Sequence, residues 1–367
     1  MSPLSPVPVL LLIRELGIGG TERQLVETAK FLDRSRFIPH VGCFRPTGLR
    51  RDELERAGVP ILQLPLQSFL SSGVLTASRV FIDYVRRHHI KVVHAFDAPL
   101  NIFSVPVAKF AGVPAVLSSQ RGHRDLTGNA TKRCLRITDR LTDAVVVNCD
   151  AMRRYLIEEE GVVSGKVHIC YNAVDVAEYA RRDVASAWRG NKVIGVVCAL
   201  RPEKGLDTLV GAFAQLKRHD TTLVIVGSGP EEQRLKAVAI ELGLGDSCHF
   251  EPATSDVASW LSRIDIFVLP SRTEALSNSL MEAMACRCCV VASRVGGNPE
   301  LVDEGVTGLL FEAGNVEDLA IKLRTLLDDA ARTQHMAAAG SAKMAANFTY
   351  SRAAETMQKI YESVLNR

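Results

Sequence analysis

The sequence has no run approaching the roughly 18 apolar residues that a membrane-spanning helix requires. Nor is a secretory leader expected. Val7–Ile13 is apolar, but it is short, no basic residue precedes it and no small-residue cleavage site follows. Together these absences lead us to expect a cytoplasmic protein. The nine cysteines are odd in number and lie outside any framework spacing, which argues against a disulfide scaffold and fits a reducing compartment. Cys286, Cys288 and Cys289 are close together, yet no Cys or His pair at zinc spacing accompanies them, so a buried strand edge is expected there and no metal. Aromatic residues are only 6% of the chain. With no base-reading motif beside them, nucleic acid is not an expected partner. There is no internal repeat, no low-complexity segment, no Walker loop and no complete dinucleotide fingerprint.

What remains is a chain of 367 residues, too long for one ordinary core, with 47% apolar content. Two well-filled α/β domains are the expectation. The net charge of +3 hides an asymmetry: 23 basic residues face 16 acidic ones through Ala173, and 21 face 25 thereafter. A basic half of this kind suits an anionic partner, although a solvated surface explains it equally well.

Strand-like runs at Val7–Ile13, His40–Phe44, Ile61–Leu64, Val92–Ala95, Ala115–Ser118, Ala144–Asn148 and Val167–Tyr171 recur through the first half. Between them lie helical patterns from Thr21 and over Arg51–Ala57, Leu75–His88 and Asn101–Phe110. The second half repeats the alternation, with strands at Val193–Val197, Leu223–Val226, Ile266–Leu269, Val290–Ala292 and Gly308–Phe311. Helices are expected over Leu206–Leu216, Ser255–Arg263, Ser277–Ala285, Val316–Leu327, Ala337–Ala346 and Ser351–Leu365. Such alternation predicts parallel sheets covered on both faces, with ligands at the carboxyl ends of the strands. His94, Asp97, Gln120 and Arg121 fall at such ends. The segment Arg121–Arg140 is rich in basic residues, and Lys132, Arg136 and Arg140 form an i, i+4, i+8 stripe if the segment is helical from Asn129. The stripe suits an anionic lipid surface or a phosphorylated acceptor; a solvated face is the plainer alternative.

Three short segments carry chemistry. Gly17, Gly19 and Gly20 separate the first strand from a helix, a pattern that fits either a tight turn or an anion at a helix N-terminus. Arg201 and Lys204, between a strand and a helix, make a phosphate site. In an extended segment Arg201 would share a face with Ala199. Finally, Asp265–Glu300 reads as strand, loop, helix, strand and turn. Glu274 lies in its loop, Ser277 and Asn278 are helix caps, and Glu282 sits on the helix. One glutamate beside a helix N-terminus can accept bonds from sugar hydroxyls, a second two turns on can hold a vicinal diol, and the N–H groups near Leu276–Ser279 suit an anionic or hydroxyl-rich ligand. The alternative is a pair of surface glutamates flanking an ordinary helix.

The words Pro270-Ser271-x-x-Glu274, Glu282 eight residues later, and Val295-Gly296-Gly297-x-x-Glu300 resemble the donor motif of the retaining glycosyltransferases of family four, of the GT-B fold. Gly19-Gly20-x-Glu22, Asn172-Ala173-Val174-Asp175 and Arg201-Pro202-Glu203-Lys204-Gly205 resemble further motifs of that family, so the resemblance spans essentially the whole chain. It implies two Rossmann-like domains facing each other across a cleft: an acceptor domain over 1–173, a nucleotide-sugar domain over 174–350, and a closing helix over 351–367 that crosses back. The chain departs from the family pattern at Phe96 (a histidine), Ala173 (glycine), Ala199 (arginine), Ala275-Leu276-Ser277 (Gly-Phe-Gly), Arg287 (glycine) and Cys289 (proline).

The resemblance implies a retaining, metal-independent transferase acting by front-face attack. Lys204, Arg201, Glu274 and His94 would be catalytic. Gly19, Gly20, Arg201, Lys204, Leu276, Ser277, Asn278 and Glu282 would bind the donor. Asp97, Gln120 and Arg121 would lie near the sugar or acceptor. The co-substrate is a nucleotide sugar, with no cofactor; the acceptor is a glycan, a lipid-linked molecule or a small molecule, and the protein would touch the inner face of an anionic membrane peripherally. An epimerase, a phosphorylase or a nucleotide-sugar-binding protein without transferase activity would share this architecture. A nicotinamide dehydrogenase is a more distant alternative.

Overall fold

The computed structural model describes residues 5–69, 72–184, 188 and 190–367. The chain forms two compact units. One runs to Asn172 and takes in Tyr350–Arg367; the other is Ala173–Thr349. The sequence between the two units' strands, 176–192, reads as a linker; residues 185–187 and 189 within it lie outside the described residues.

The first unit is built on seven parallel strands: β1 (Val7–Glu15), β2 (Phe37–Arg45), β3 (Ile61–Gln63), β4 (Val92–Ala95), β5 (Ala115–Gln120), β6 (Ala144–Val147) and β7 (Val167–Ile169). Their order is β3-β2-β1-β4-β5-β6-β7. Alternation along β1 splits the core. Val9, Leu11 and Ile13 enter one apolar cluster with Phe37, Val41 and the closing helix Tyr350–Leu365. Leu10 and Leu12 enter the other with Phe81, Phe103 and Val116. The closing helix supplies Met357, Ile360, Tyr361 and Val364 to the first cluster, so it is part of this unit's core.

The second unit repeats the design with six strands: β8 (Lys192–Val197), β9 (Thr221–Val226), β10 (Cys248–Glu251), β11 (Ile266–Leu269), β12 (Cys289–Ser293) and β13 (Leu309–Phe311). Their order is β10-β9-β8-β11-β12-β13, again all parallel. In both sheets the order reverses beside the first strand. Loops leaving two neighbouring strand ends in opposite directions open a crevice there, at the carboxyl edge. In the first unit that place is between β1 and β4; in the second it is between β8 and β11.

Two of the longer helices differ from the sequence expectation. Asp150–Glu158 was not anticipated; its cap is Cys149, whose Sγ accepts from the Met152 N–H at 3.4 Å, and cysteine is no ordinary capping signal. The helix expected from Ala337 begins at Ala330, capped by Asp329, and its first two turns are mostly exposed and carry no apolar stripe. Among the described residues no helix is long and apolar enough to cross a membrane.

Candidate active site

The second unit brings Lys204 and Glu274 together. Lys204 closes a 3-10 turn, Pro202–Lys204, after β8, and Glu274 lies in the loop after β11. The Lys204 Nζ stands 2.7 Å from Glu274 Oε2, and the Ser271 Oγ donates to the same oxygen at 3.3 Å. Burial by itself would lower the Lys204 pKa; the charge and hydrogen bond of Glu274 outweigh it, and the net shift is upward. The ammonium is therefore held in its charged form at a strand-end crevice, where anions bind.

Local backbone chemistry fixes this meeting. Gly205 has φ +60°, and a Cβ there would overlap the Pro270 carbonyl oxygen, so only glycine lets the β8 loop lie against the end of β11. Gly296, at φ +51°, does the same on the other side, where a Cβ would overlap the Glu274 carbonyl oxygen. Arg272 then ties the two loops. Its N–H donates to the Glu203 carbonyl at 2.8 Å, and its guanidinium spans the Pro202 carbonyl at 2.8 Å and both Asp207 oxygens at 2.9 and 2.7 Å. Arg272 and Asp207 were not among the expected site residues. Their only sequence signal was an arginine beside Ser271 and an acidic residue in the first turn after Gly205.

Beyond this pair the helix Asn278–Ala285 carries Ser277 as its N-cap, with the Ser277 Oγ accepting from the Leu280 N–H at 3.3 Å. The Leu280 N–H, just beyond the Leu276–Ser279 row, is thus taken up by the cap, and Leu276 and Asn278 each have interactions of their own. Glu282 is buried on this helix and has interactions of its own. Cys286, Cys288 and Cys289 are buried at the helix end and on β12, as a strand edge requires.

Arg201 departs from its expectation. Its N–H donates to the Ala199 carbonyl at 3.0 Å, so Ala199–Arg201 is a tight turn and the extended geometry that would align Arg201 with Ala199 does not exist. The side chain is exposed and only loosely paired with Glu203, at 3.9 Å.

In the first unit the expected site residues are engaged within the fold. His94 is fully buried. Its Nδ1 is 2.9 Å from the Tyr361 hydroxyl and its Nε2 is 2.8 Å from the Ser119 Oγ. With both nitrogens engaged and burial pushing its pKa well below the ordinary histidine value, His94 is a core residue rather than a catalytic one. Asp97 caps the helix Ala98–Phe110: Oδ1 accepts from the Leu100 N–H at 3.0 Å and Oδ2 from the Arg14 N–H at 2.8 Å. Burial raises its pKa to about 6, against these bonds. Gln120 is buried, bonding the Gly122 carbonyl at 2.5 Å and accepting from Arg124 at 3.1 Å. Arg121 lies over the Phe96 ring at 4.7 Å and donates to Asn172 at 2.8 Å. All four make contacts within the fold in these positions. At the glycine turn, a Cβ added at Gly19 would overlap the Glu22 carboxylate, which thus sits by the N-terminus of the helix Gly20–Phe31, where an anion was expected.

The basic segment is also less free than its sequence suggests. Arg124 is buried, 2.8 Å from Asp139 Oδ2 and 3.4 Å from Glu160 Oε2. On the helix Asn129–Leu141, Lys132 pairs with Asp125, and Arg136 pairs with Glu160 at 2.8 Å. Arg133 and Arg140 are exposed beside the exposed apolar residues Leu126, Ile137 and Leu141.

Comparison with known proteins agrees with this architecture. Residues 181–343 match the family model described as Glycosyl transferases group 1, and residues 18–178 match Glycosyltransferase Family 4. A GDP-mannose-dependent alpha-(1-6)-phosphatidylinositol monomannoside mannosyltransferase of Mycobacterium tuberculosis is 31% identical over 278 residues, covering 70% of this chain and 71% of that protein. A D-inositol 3-phosphate glycosyltransferase of Catenulispora acidiphila is 31% identical over 313 residues, covering 80% and 69%. The crystal structure of Anabaena HepE in complex with UDP and glucose superposes with a TM-score of 0.85 over 97% of this chain and 99% of that one, at 22% identity. The chain belongs to the group 1 glycosyltransferases of the GT-B fold, and it is a transferase enzyme.

Proposed function

We propose that the chain is a retaining, metal-independent transferase that moves a sugar from a nucleotide-sugar donor to a lipid-linked or glycan acceptor. The observation that carries this reading is the Lys204–Glu274 pair at the crevice between β8 and β11. Breaking the anomeric bond leaves negative charge on a diphosphate. A half-buried lysine held in its protonated form stabilises that charge without a metal ion. Arg201, exposed and loosely held, supplies a second cation. Glu274 turns from Lys204 to the sugar hydroxyls, and Glu282 holds the ribose diol. Family membership supports front-face attack with retention. The mannosyltransferase relatives favour a GDP-linked sugar, and their inositol-containing substrates favour an acceptor that carries a phosphate.

The first unit offers that acceptor a cavity of about 960 Å³ at the carboxyl ends of β1, β2 and β3, lined by Arg14, Arg45, Gln63, Gln67, Phe44 and Phe69. Cations for a phosphate, amides for hydroxyls and an aromatic wall for a sugar face are the groups such a molecule needs. Peripheral contact with an anionic membrane is supported by exposed Arg133 and Arg140 beside Leu126, Ile137 and Leu141. Replacing Arg133 and Arg140 together should reduce sedimentation with anionic vesicles; unchanged sedimentation would reject that contact.

The donor reading is tested by a thermal-shift screen against UDP-, GDP-, ADP- and TDP-sugars, with NAD as control and no added metal. A ligand that binds only the folded state raises the melting temperature. A shift with one nucleotide class that is lost in Glu282→Ala supports the reading. Absence of any shift from a folded sample, or a shift that Glu282→Ala leaves unchanged, overturns the site.

A further inference from the structure

The second unit has another cavity, at the opposite edge of its sheet from Lys204 and Glu274. It lies at the amino ends of β8 and β11, against the helices Val316–Asp328 and Ala330–Asn347, and encloses about 390 Å³. That volume falls within the range of about 300–1,000 Å³ typical of small-molecule sites. Three cations border it, Arg181, Lys192 and Arg287, against one carboxylate, Asp265. Asp265 is already occupied: its Oδ2 accepts from the Val193 N–H at 2.9 Å, and Lys192 stands 3.8 Å from Oδ1. Among the described residues neither Arg181 nor Arg287 makes an ion pair. The far wall carries Leu326, Leu327, Ala330, Ala337 and Ala338, with Thr333 and Gln334 among them.

Two details show that these arginines are placed. The Arg181 guanidinium is anchored to the Ile264 carbonyl at 3.1 Å, with a longer contact to the Arg287 carbonyl at 3.5 Å. Arg287 sits at φ +58°, one of the few residues other than glycine with positive φ. The helix Asn278–Ala285 ends there in a Schellman turn: the Arg287 N–H donates to the Met284 carbonyl at 3.1 Å and the Cys288 N–H to the Ala283 carbonyl at 2.9 Å. That turn position ordinarily belongs to glycine, because a side chain is strained in the left-handed region. Here the chain keeps an arginine in the strained position, and its side chain borders the cavity.

We propose that this cavity binds a small organic phosphate, with Arg181 and Arg287 on the phosphate and the carbon body against Leu326, Leu327 and Ala337. A net excess of two cations matches a phosphate monoester dianion, and a volume beyond that of phosphate alone with a largely apolar wall calls for an attached carbon skeleton. The site is separate from the donor site and does not depend on the donor reading.

The test is calorimetric titration of the full chain with glycerol 3-phosphate at fixed ionic strength, with glycerol and inorganic phosphate as parallel arms. Expected are saturable binding of glycerol 3-phosphate, tighter than inorganic phosphate and absent with glycerol, a loss of at least tenfold in both Arg287→Gly and Arg181→Gln, and retention in Lys204→Ala. Arg287→Gly suits its local backbone, so misfolding does not confound it. The proposal is overturned if glycerol 3-phosphate binds no better than glycerol or inorganic phosphate, if both arginine variants bind as wild type does, or if binding disappears in Lys204→Ala, which would place the phosphate in the donor site.

Discussion

Lys204 and Glu274, seventy positions apart, meet at 2.7 Å where the β8 and β11 loops cross. On the proposed reading each residue is the other's placeholder: the lysine is kept charged for a diphosphate, and the carboxylate is kept oriented for hydroxyls. Removing either therefore affects turnover more than folding. Lys204→Ala and Glu274→Gln should each lower kcat/KM at least tenfold, on the order of 1.4 kcal/mol. Lys204→Ala should also weaken nucleoside diphosphate binding, whereas Glu274→Gln should leave it nearly unchanged. Because Glu274 raises the Lys204 pKa above the ordinary lysine value, no alkaline loss of activity should trace to this lysine within the working range of pH. Steady-state kinetics with calorimetric titration of the diphosphate checks all three outcomes.

Arg124 presents the opposite case, a charge whose role is internal. It is buried against Asp139 and Glu160, with its Nε on Gln120. Cutting one partner from a buried ionic cluster leaves the others uncompensated, and the cost is about 3–5 kcal/mol. Arg124→Ala should reduce stability by that amount in urea denaturation. Arg124→Lys should recover little of it, since a point charge does not reproduce a fork shared among three acceptors.

At the end of β4 two titratable groups oppose one another in their effect on stability. His94 has a folded pKa well below its unfolded value, so its contribution is complete above about pH 6.5 and is lost as pH falls, by at most about 1.4 kcal/mol per pH unit. Asp97 has a folded pKa raised to about 6 from 3.8, so its contribution is present below the unfolded value and is lost as pH rises through about 6. Relative to His94→Gln, the wild type should lose stability on acidification; relative to Asp97→Asn, it should lose stability on going from pH 4 to pH 6. Tyr361→Phe, which removes the hydroxyl from His94 Nδ1, should cost about 1–3 kcal/mol at neutral pH. Urea midpoints across this pH range give the sign of each.

The contrast between these sites and the donor pair shows what the sequence made legible. The alternation of strand and helix, and the words Glu203-Lys204-Gly205 and Pro270-Ser271-x-x-Glu274, are local signals, and the glycines at 205 and 296 fix where the loops must go. What was not legible depends on partners far along the chain. His94 reads as a strand-end ligand until Tyr361 of the closing helix is brought to its ring. Arg124 reads as one of a surface cluster until Glu160 arrives. Arg201 reads as extended because nothing local announces the turn back to Ala199. The helix Asp150–Glu158 went unread because a thiol caps it.

Arg287 gives a prediction with an unusual sign. Most substitutions destabilise, but this residue is held at φ +58°, which costs about 1–3 kcal/mol in a residue other than glycine. Glycine removes that cost and returns about 0.5–1 kcal/mol of it as extra freedom in the unfolded chain. Arg287→Gly should therefore raise stability by about 1 kcal/mol, a rise in Tm of about 2–4 °C for a unit of this size. Arg287→Ala separates backbone strain from side-chain repulsion among Arg181, Lys192 and Arg287. Alanine keeps a Cβ in the strained region while removing the charge, so strain predicts no gain from alanine, and repulsion predicts a gain comparable to that of glycine. A melting comparison of the three proteins at low and high salt distinguishes the two: a glycine-only, salt-independent gain assigns the energy to the backbone, and equal gains that vanish in salt assign it to the cations.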